Sequence, residues 1–161
     1  MEPVLVLTTG GTIDKVYFDA KSDYEVGESV VGELLQQAHV REAFEVRSLL
    51  RKDSLELTDA DRTLIAAAVN DAPEQRIIIT HGTDTMTDTA GALQPQQSRT
   101  VVLTGSLAPA RFAQTDAVFN VGMAFAAVQS LPAGVYIVMN GQVFDAARVT
   151  KDRELNAFVR C

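Results

Sequence analysis

The chain of 161 residues lacks tryptophan, has one cysteine and contains only 6% aromatic residues. The cysteine is the last residue, Cys161, so no disulfide bond can form within the chain. Basic residues are also few, because 14 lysines and arginines stand against 21 aspartates and glutamates, for a net charge of −7. Phosphate groups are bound by clustered basic side chains, so this balance argues against nucleic acid as a partner.

Long apolar segments are missing as well. No stretch approaches the ~20 residues that a membrane-spanning helix needs, so no membrane association is predicted. The first residues enter a strand at once, without the basic region and the apolar run of a signal peptide. Together with the single cysteine, these features favour a reducing, cytoplasmic setting, unless a signal peptide has been removed from this sequence.

With 47% apolar and 22% charged residues, the chain has the composition of one globular domain, predicted over residues 1–161. Apolar runs of strand length alternate with helical patterns, which is typical of βαβ units on a parallel sheet. We therefore predict a three-layer, doubly wound α/β fold of the Rossmann or flavodoxin type, with a mostly parallel sheet. The predicted strands cover about 3–8, 43–49, 76–80, 100–104 and 134–139, and the predicted helices cover 30–38, 59–70, 84–93 and 116–130.

The connection between the first strand and the first helix, residues 14–28, is too long for a simple βα loop. Its two halves, 15–18 and 23–26, are predicted to pair as a hairpin. An insertion after this strand lies over the carboxyl edge of the sheet, where the lid of an active site would lie. Farther along, Thr58 is the predicted N-cap of the second helix, because it precedes an acidic first turn.

Two predicted strands end in turns rich in glycine and threonine. The sequence TTGGT follows the first strand and ends at Thr12, and the sequence THGTDT, with Thr83 and Asp84, follows the third. Ligands bind outside the carboxyl ends of strands in open α/β sheets, so these side chains are candidates for nucleophilic chemistry. Simpler interpretations also stand: Thr12 fits an ordinary βα turn, and Thr83 fits the N-cap of a helix that begins at Asp84. Neither pattern has the spacing of a phosphate-binding loop.

Two more polar residues are predicted at the same sheet edge, Ser54 after the second strand and Lys151 after the last. A lysine near a carboxylate in a desolvated pocket can supply the base that a hydroxyl nucleophile needs. Taken singly, Ser54 fits the cap of a local turn and Lys151 fits a surface group. The two histidines are interpreted as structural, with His81 as a hydrogen-bonding residue and His39 in the first helix, so neither a metal site nor a cofactor is predicted.

The chain resembles the bacterial-type L-asparaginase family in six stretches that follow the family's order over nearly the whole length. They are TGGTI at 9–13, YEVG at 24–27, DS at 53–54, HGTDTM at 81–86, LTGS at 103–106 and DAARVTK at 145–151. The resemblance implies hydrolysis of the side-chain amide of L-asparagine to L-aspartate and ammonia, without a cofactor. An amide needs a nucleophile, oxyanion donors and protonation of the leaving ammonia, which agrees with these residue types.

The resemblance also implies roles for the matched residues. Thr12 matches the first nucleophile, and Tyr24 matches its partner in the lid. Ser54 matches the position that holds the α-carboxylate of the substrate, and backbone N–H groups around Gly11 and Thr83 are expected to donate to the oxyanion. The second set of hydroxyl, lysine and carboxylate consists of Thr83, Lys151 and Asp84, of which the last also matches the ligand of the α-ammonium.

The chain departs from the usual family pattern in its length. Other members carry a second α/β domain after the lysine strand, whereas this sequence ends ten residues after Lys151. We therefore expect a short form with the N-terminal domain only, which completes its site by forming a homo-oligomer. Leu55 also replaces a polar residue that is common in secreted members. Two alternatives remain: an amino-acid-binding or regulatory domain with little turnover, and an amidohydrolase for glutamine or another small amide.

Overall fold

The computed structural model describes residues 2–161, and a six-stranded sheet lies at its centre in the order β4-β1-β5-β6-β7-β8. These strands are β1 (Val4–Gly10), β4 (Phe44–Lys52), β5 (Arg76–Thr80), β6 (Thr100–Thr104), β7 (Gly134–Met139) and β8 (Gln142–Asp145). The first five of the order run parallel, and β8 is antiparallel to β7. The predicted α/β fold with a mostly parallel sheet is confirmed.

Four helices cover the two faces of the sheet: α1 (Val31–Gln37), α2 (Asp59–Asp71), α3 (Met86–Ala92) and α4 (Ala117–Ser130). Side chains alternate along each buried strand, so Leu5 and Leu7 pack in a cluster with α2 and α3. Val4 and Val6 point to the other face and pack with α1 and α4. Burial of both faces explains the continuous apolar runs that identified these strands.

The order of the parallel strands places a topological switch point between β1 and β5. Along the chain the five strands are first to fifth, and in space they lie in the order 2-1-3-4-5, which is the flavodoxin arrangement. At such a point the connections leave the two neighbouring strands in opposite directions and open a crevice. The two turns rich in glycine and threonine follow β1 and β5, so both border this crevice.

The predicted hairpin is present after the first strand. Strands β2 (Lys15–Phe18) and β3 (Asp23–Val26) pair antiparallel and place Tyr17 opposite Tyr24. The predicted cap of α2 is present too, because the Thr58 hydroxyl accepts from the backbone N–H of Asp61 at 3.2 Å. The Asp61 carboxylate accepts from the N–H of Thr58 in return, at 2.9 Å, which completes a capping box.

Several predicted boundaries were wrong. Helix α1 ends at Gln37, and His39 lies beyond it with a φ of +56°, so this histidine is not helical. Helix α3 begins at Met86, two residues later than predicted. Strand β4 runs on to Lys52. Across residues 2–161, no helix is both long enough and apolar enough to span a membrane.

A separate hairpin near the end of the chain was not predicted. Strands β9 (Val149–Asp152) and β10 (Ala157–Arg160) pair antiparallel, outside the main sheet. Lys151 lies on β9 and is reached through the antiparallel strand β8, so its predicted position directly after a parallel strand was wrong. The four residues of β9 alternate too briefly for a strand pattern to be recognised in the sequence.

Candidate active site

The two turns at the switch point touch through their glycines. Gly11 has a φ of +88°, and a Cβ atom placed on it would overlap the backbone nitrogen of Gly82. A Cβ atom placed on Gly82 would lie 2.5 Å from the Cβ of Ser54. Three strand ends therefore meet here with no room for further side-chain atoms. The sequence prediction that these residues share one sheet edge is correct for Gly11, Ser54 and the turn of Thr83.

The most tightly organised part of the site is formed by Thr83, Asp84 and Lys151. The Lys151 ammonium donates to the hydroxyl oxygen of Thr83 and to Oδ1 of Asp84, both at 2.8 Å. The Lys151 side chain is 11% exposed, so these bonds are largely shielded from water. Thr83 itself is buried, and its own hydroxyl proton has no acceptor among the described residues. It is thus available to a ligand or a water molecule.

The interpretation of Thr83 as a helix N-cap was wrong. Helix α3 begins two residues later than Asp84, its N-cap is Thr85, and no side chain caps it. The Thr85 hydroxyl instead donates to the carbonyl oxygen of Ser54 at 2.8 Å. This bond joins the loop after β5 to the loop after β4.

The hairpin of β9 and β10 brings Lys151 to the sheet edge. Phe158 lies opposite Lys151 in the hairpin and is buried in the core cluster of α2 and α3. The backbone N–H of Phe158 donates to the side-chain oxygen of Asn140, at the turn after β7, at 2.7 Å. These contacts fix the hairpin against the sheet, and its sequence alone gave no indication of them.

Ser54 is buried and begins a short 3-10 turn, Ser54–Glu56, that Asp53 caps. Asp53 also forms an ion pair with Lys15 of the predicted lid, at 3.0 Å. Burial alone would raise the pKa of Asp53, but its hydrogen bonds with Lys15 and with the N–H of Leu55 lower it below its usual value. The base of the hairpin is thereby attached to the loop that carries Ser54.

Thr12 differs from Thr83 in having no partner. It is half-buried, begins the short 3-10 turn Thr12–Asp14, and its hydroxyl makes no hydrogen bond with residues 2–161. The N–H of Gly11 is already donated to the carbonyl oxygen of Lys52 at 2.9 Å, so this amide does not face a ligand. The amide of Thr12, by contrast, has no acceptor in the described part of the chain.

Asp14 connects the Thr12 turn to the hairpin. Its N–H donates to the carbonyl of Gly11 at 3.1 Å, and its carbonyl accepts from Gly27 at 2.9 Å. Its buried carboxylate accepts from the N–H of Val30 at 3.3 Å. Desolvation raises the pKa of the Asp14 carboxyl to about 6, although hydrogen bonds from Val30 and Ser29 work against this. The sequence analysis did not single out this residue.

Tyr24 lies on the hairpin with 44% of its surface exposed. Its ring packs edge-to-face between Tyr17, with centroids 5.4 Å apart, and Phe112, at 5.7 Å. The Tyr24 hydroxyl makes no hydrogen bond with the part of the chain that the structure describes. Phe112, from the loop after β6, was missed in the sequence because nothing local marks it as a partner of the lid.

The site thus joins two threonine hydroxyls, an ammonium and a carboxylate at the switch point of a parallel sheet, which is the equipment of a nucleophilic enzyme. No set of three or more His, Cys, Asp or Glu side chains within residues 2–161 is arranged to hold a metal ion. Residues 3–159 match the family model described as asparaginase, N-terminal. The chain belongs to the asparaginase family.

Two sets of relatives illustrate the similarity. L-asparaginase of Thermococcus kodakarensis is 33% identical over 96% of this chain and 50% of its own length. The solved structure of the thermostable L-asparaginase from that organism matches with a TM-score of 0.84 at 32% identity, over 99% of this chain and 51% of that one. Glutaminase-asparaginase of Acinetobacter glutaminasificans is 30% identical, with coverage of 92% and 49%.

A further relative carries a different name. This protein, which forms part of the glutamyl-tRNA(Gln) amidotransferase of Methanococcus vannielii, is 29% identical over 90% of this chain and 36% of its own length. The chain therefore spans about half or less of the length of the relatives it matches. Family membership supports amidohydrolase chemistry in general, and the particular substrate is a matter for proposal.

Proposed function

We propose that this domain hydrolyses the side-chain amide of L-asparagine to L-aspartate and ammonia. The observation that carries the proposal is the position of Lys151, whose ammonium lies 2.8 Å from both the Thr83 hydroxyl and the Asp84 carboxylate. A hydroxyl bound in this way can pass its proton through the lysine to the carboxylate, which makes it, or a water beside it, a nucleophile. Family membership and the shared names of the relatives support the same chemistry.

In the proposed reaction, the Thr12 hydroxyl attacks the amide carbon while Tyr24 covers it. The carbon–nitrogen bond breaks, the leaving nitrogen takes up a proton, and ammonia departs, leaving an ester on Thr12. A water molecule then loses a proton to the Thr83–Lys151–Asp84 set, attacks the ester, and releases L-aspartate with the Thr12 hydroxyl restored. The amide N–H groups of Thr12 and Thr83, which donate to no acceptor within residues 2–161, are the proposed oxyanion donors.

The α-groups of the substrate are proposed to bind at Ser54 and Asp84. Lys151 occupies only Oδ1 of Asp84, so Oδ2 is left to accept from an α-ammonium. Ser54 has a hydroxyl without a protein partner among the described residues and lies against Gly82. Leu55 beside it is 64% exposed and places an apolar side chain where a polar one would add a contact to the α-carboxylate. We therefore expect weak discrimination at the α-end of the substrate.

Ammonia release from L-asparagine, measured beside L-glutamine and small amino-acid amides, tests the proposal. We expect L-asparagine to be the preferred substrate. A preference for L-glutamine would favour the alternative amidohydrolase, an alternative that the name of the Acinetobacter relative supports. Calorimetry with L-aspartate completes the test, because binding without any turnover would contradict the proposal and favour an amino-acid-binding domain.

We further propose that the protein acts as a homo-oligomer in the cytoplasm. The proposal rests on the exposed apolar side chains of α4, Val118 and Phe119, on a helix without a charged residue, and on the single cysteine. Light scattering after size exclusion gives the oligomeric state directly. A monomer with full activity would contradict the proposal that a second copy completes the site.

A further inference from the structure

The ring of His81 is completely buried below the loop that carries Thr83, and the proposed reaction does not use it. Nδ1 lies 2.6 Å from the carbonyl oxygen of Gly82, the next residue along the chain. Nε2 lies 2.7 Å from the hydroxyl oxygen of Thr89 on α3. Both ring nitrogens are therefore engaged, one with the active-site loop and one with a helix.

The two partners define the tautomer of the ring. A carbonyl oxygen can only accept, so Nδ1 carries the proton and donates it to Gly82. Nε2 of the neutral ring then has a lone pair, and the Thr89 hydroxyl donates to it. Burial lowers the pKa of His81 to about 4, so the ring is neutral at pH 7 and the hydroxyl is needed to hold this tautomer.

The orientation of one carbonyl determines the orientation of the neighbouring N–H. The peptide bond between Gly82 and Thr83 is trans, so its carbonyl and its N–H point in opposite directions. Because His81 holds the carbonyl on the buried side, the N–H of Thr83 is directed away from the ring. This N–H donates to no acceptor within residues 2–161, although Thr83 is buried. Buried amides without a partner are rare, which fits a donor kept for a ligand.

We propose that His81 is a positioning residue that, held by Thr89, fixes the Gly82–Thr83 peptide so that the Thr83 N–H faces the amide oxygen of the substrate. His81 touches neither the substrate nor the reacting atoms. Its contribution is that the donor is already oriented before the negative charge develops, which is the basis of oxyanion stabilisation. The inference deepens the proposed function and rests on it for the identity of the ligand.

The matched pair Thr89→Val and Thr89→Ser tests this role. Valine keeps the shape of the side chain but removes the hydroxyl, so Nε2 loses its donor and the carbonyl of Gly82 is no longer held by a single tautomer. We expect kcat of Thr89→Val to fall roughly tenfold with KM within about twofold, since an oxyanion donor is displaced but not removed. Thr89→Ser keeps the hydroxyl and is expected to retain at least about half of the wild-type kcat.

The tautomer itself is read by NMR of protein labelled with 15N-histidine, and this readout needs no turnover. The chain has two histidines, so the variant His39→Gln assigns the signals of His81. We expect the wild-type His81 ring to carry its proton on Nδ1 and Thr89→Val to show a mixture of tautomers. A proton on Nε2 in the wild type would overturn the inference, as would equal kcat values for the two Thr89 variants. Absence of ammonia release by the wild type would refute the proposed function, while the NMR result would still decide the tautomer.

Discussion

The two halves of the candidate site are organised differently. Around Thr83, the hydroxyl, the ammonium of Lys151 and the carboxylate of Asp84 are joined by hydrogen bonds of 2.8 Å and are shielded from water. Around Thr12, the hydroxyl has no partner among residues 2–161, and Tyr24 of the hairpin is 44% exposed. One half is therefore complete in the free protein, whereas the other half lacks the contacts that a substrate would supply.

This difference follows from the elements that carry each half. Thr83 and Lys151 lie on segments anchored in the core, by His81 and by Phe158 respectively, and both anchors are buried. Thr12 is followed by a hairpin that contacts the remainder of the domain through the Lys15–Asp53 ion pair and the ring of Phe112. We infer that the Thr83 half provides a preorganised electrostatic environment, and that the hairpin half closes on the substrate.

The largest effect is expected where the two halves touch. Gly11→Ala would place a Cβ atom on the backbone of Gly82 at a φ of +88°. We expect a loss of about 2–4 kcal/mol in the free energy of unfolding, from strain and overpacking together, and a loss of activity. Urea denaturation measures the first quantity. Gly91→Ala is the control, because its Cβ would meet nothing within 4 Å in helix α3 and is expected to stabilise by about 0.5–1 kcal/mol.

The next effect separates the preorganised half from an ordinary ion pair. Lys151→Met removes the donor to Thr83, and we expect kcat to fall about 10²–10³-fold with little change in the melting temperature. Lys52→Met removes an ion pair of similar length, 2.9 Å to Asp61, in a more exposed position. We expect Lys52→Met to leave kcat within about twofold. Equal losses in both variants would show that charge near the sheet edge, rather than the Thr83 contact, sets the rate.

The hairpin half is tested by removing single hydroxyl groups. Tyr24→Phe keeps the ring between Tyr17 and Phe112, so the position of the hairpin is preserved. If the hydroxyl acts on Thr12, we expect kcat to fall roughly 10–100-fold. Tyr17→Phe is the matched control on the opposite strand and is expected to change kcat by less than about twofold. Full activity of Tyr24→Phe would limit Tyr24 to a packing role.

The smallest effect concerns Asp14, which joins the Thr12 turn to the hairpin. Its pKa is raised to about 6 in the folded state from 3.8, so the folded protein binds this proton more tightly. Stability from this group is present below about pH 4 and is lost as the pH rises through 6. Asp14→Asn, which still accepts from Val30, should therefore gain about 1–2 kcal/mol over wild type between pH 4 and pH 7 in urea denaturation.

A control of opposite sign accompanies this measurement. The pKa of Asp53 is lowered in the folded state, so its contribution is present above the unfolded value and is lost as the pH falls. Asp53→Asn should be destabilised relative to wild type at pH 7, and that deficit should shrink towards acid. The same trend in both variants would contradict the assignment of the raised pKa to Asp14.

The parts of the fold that the sequence predicted are those with local causes. Buried parallel strands have continuous apolar runs, and the Thr58 cap is written in four residues, so both were recognisable. Ser54, Thr83 and Asp84 could be assigned to one edge because parallel strands end together. The hairpin that carries Lys151 and the packing of Phe112 on Tyr24 depend on contacts between distant segments, and no local pattern encodes them.

The same distinction explains the misplaced start of α3. Thr83 and Asp84 have the residue types of a cap and a first turn, so local propensity favours a helix there. Instead, their side chains bond with Lys151, 67 and 68 residues away, and the helix begins at Met86. A tertiary contact therefore overrides the local preference at the residues that we propose to be functional.

Ammonia release from L-asparagine by the wild type, Thr12→Val, Thr83→Val and Thr63→Val tests the two-hydroxyl account most directly. Thr63 lies on the exposed face of α2, where its hydroxyl bonds to the carbonyl of Asp59, so its variant controls for loss of a threonine. The account predicts that Thr12→Val and Thr83→Val each lose activity by more than about 10³-fold with intact folding, and that Thr63→Val retains it. Wild-type activity in either site variant, or none in the wild type, would contradict it.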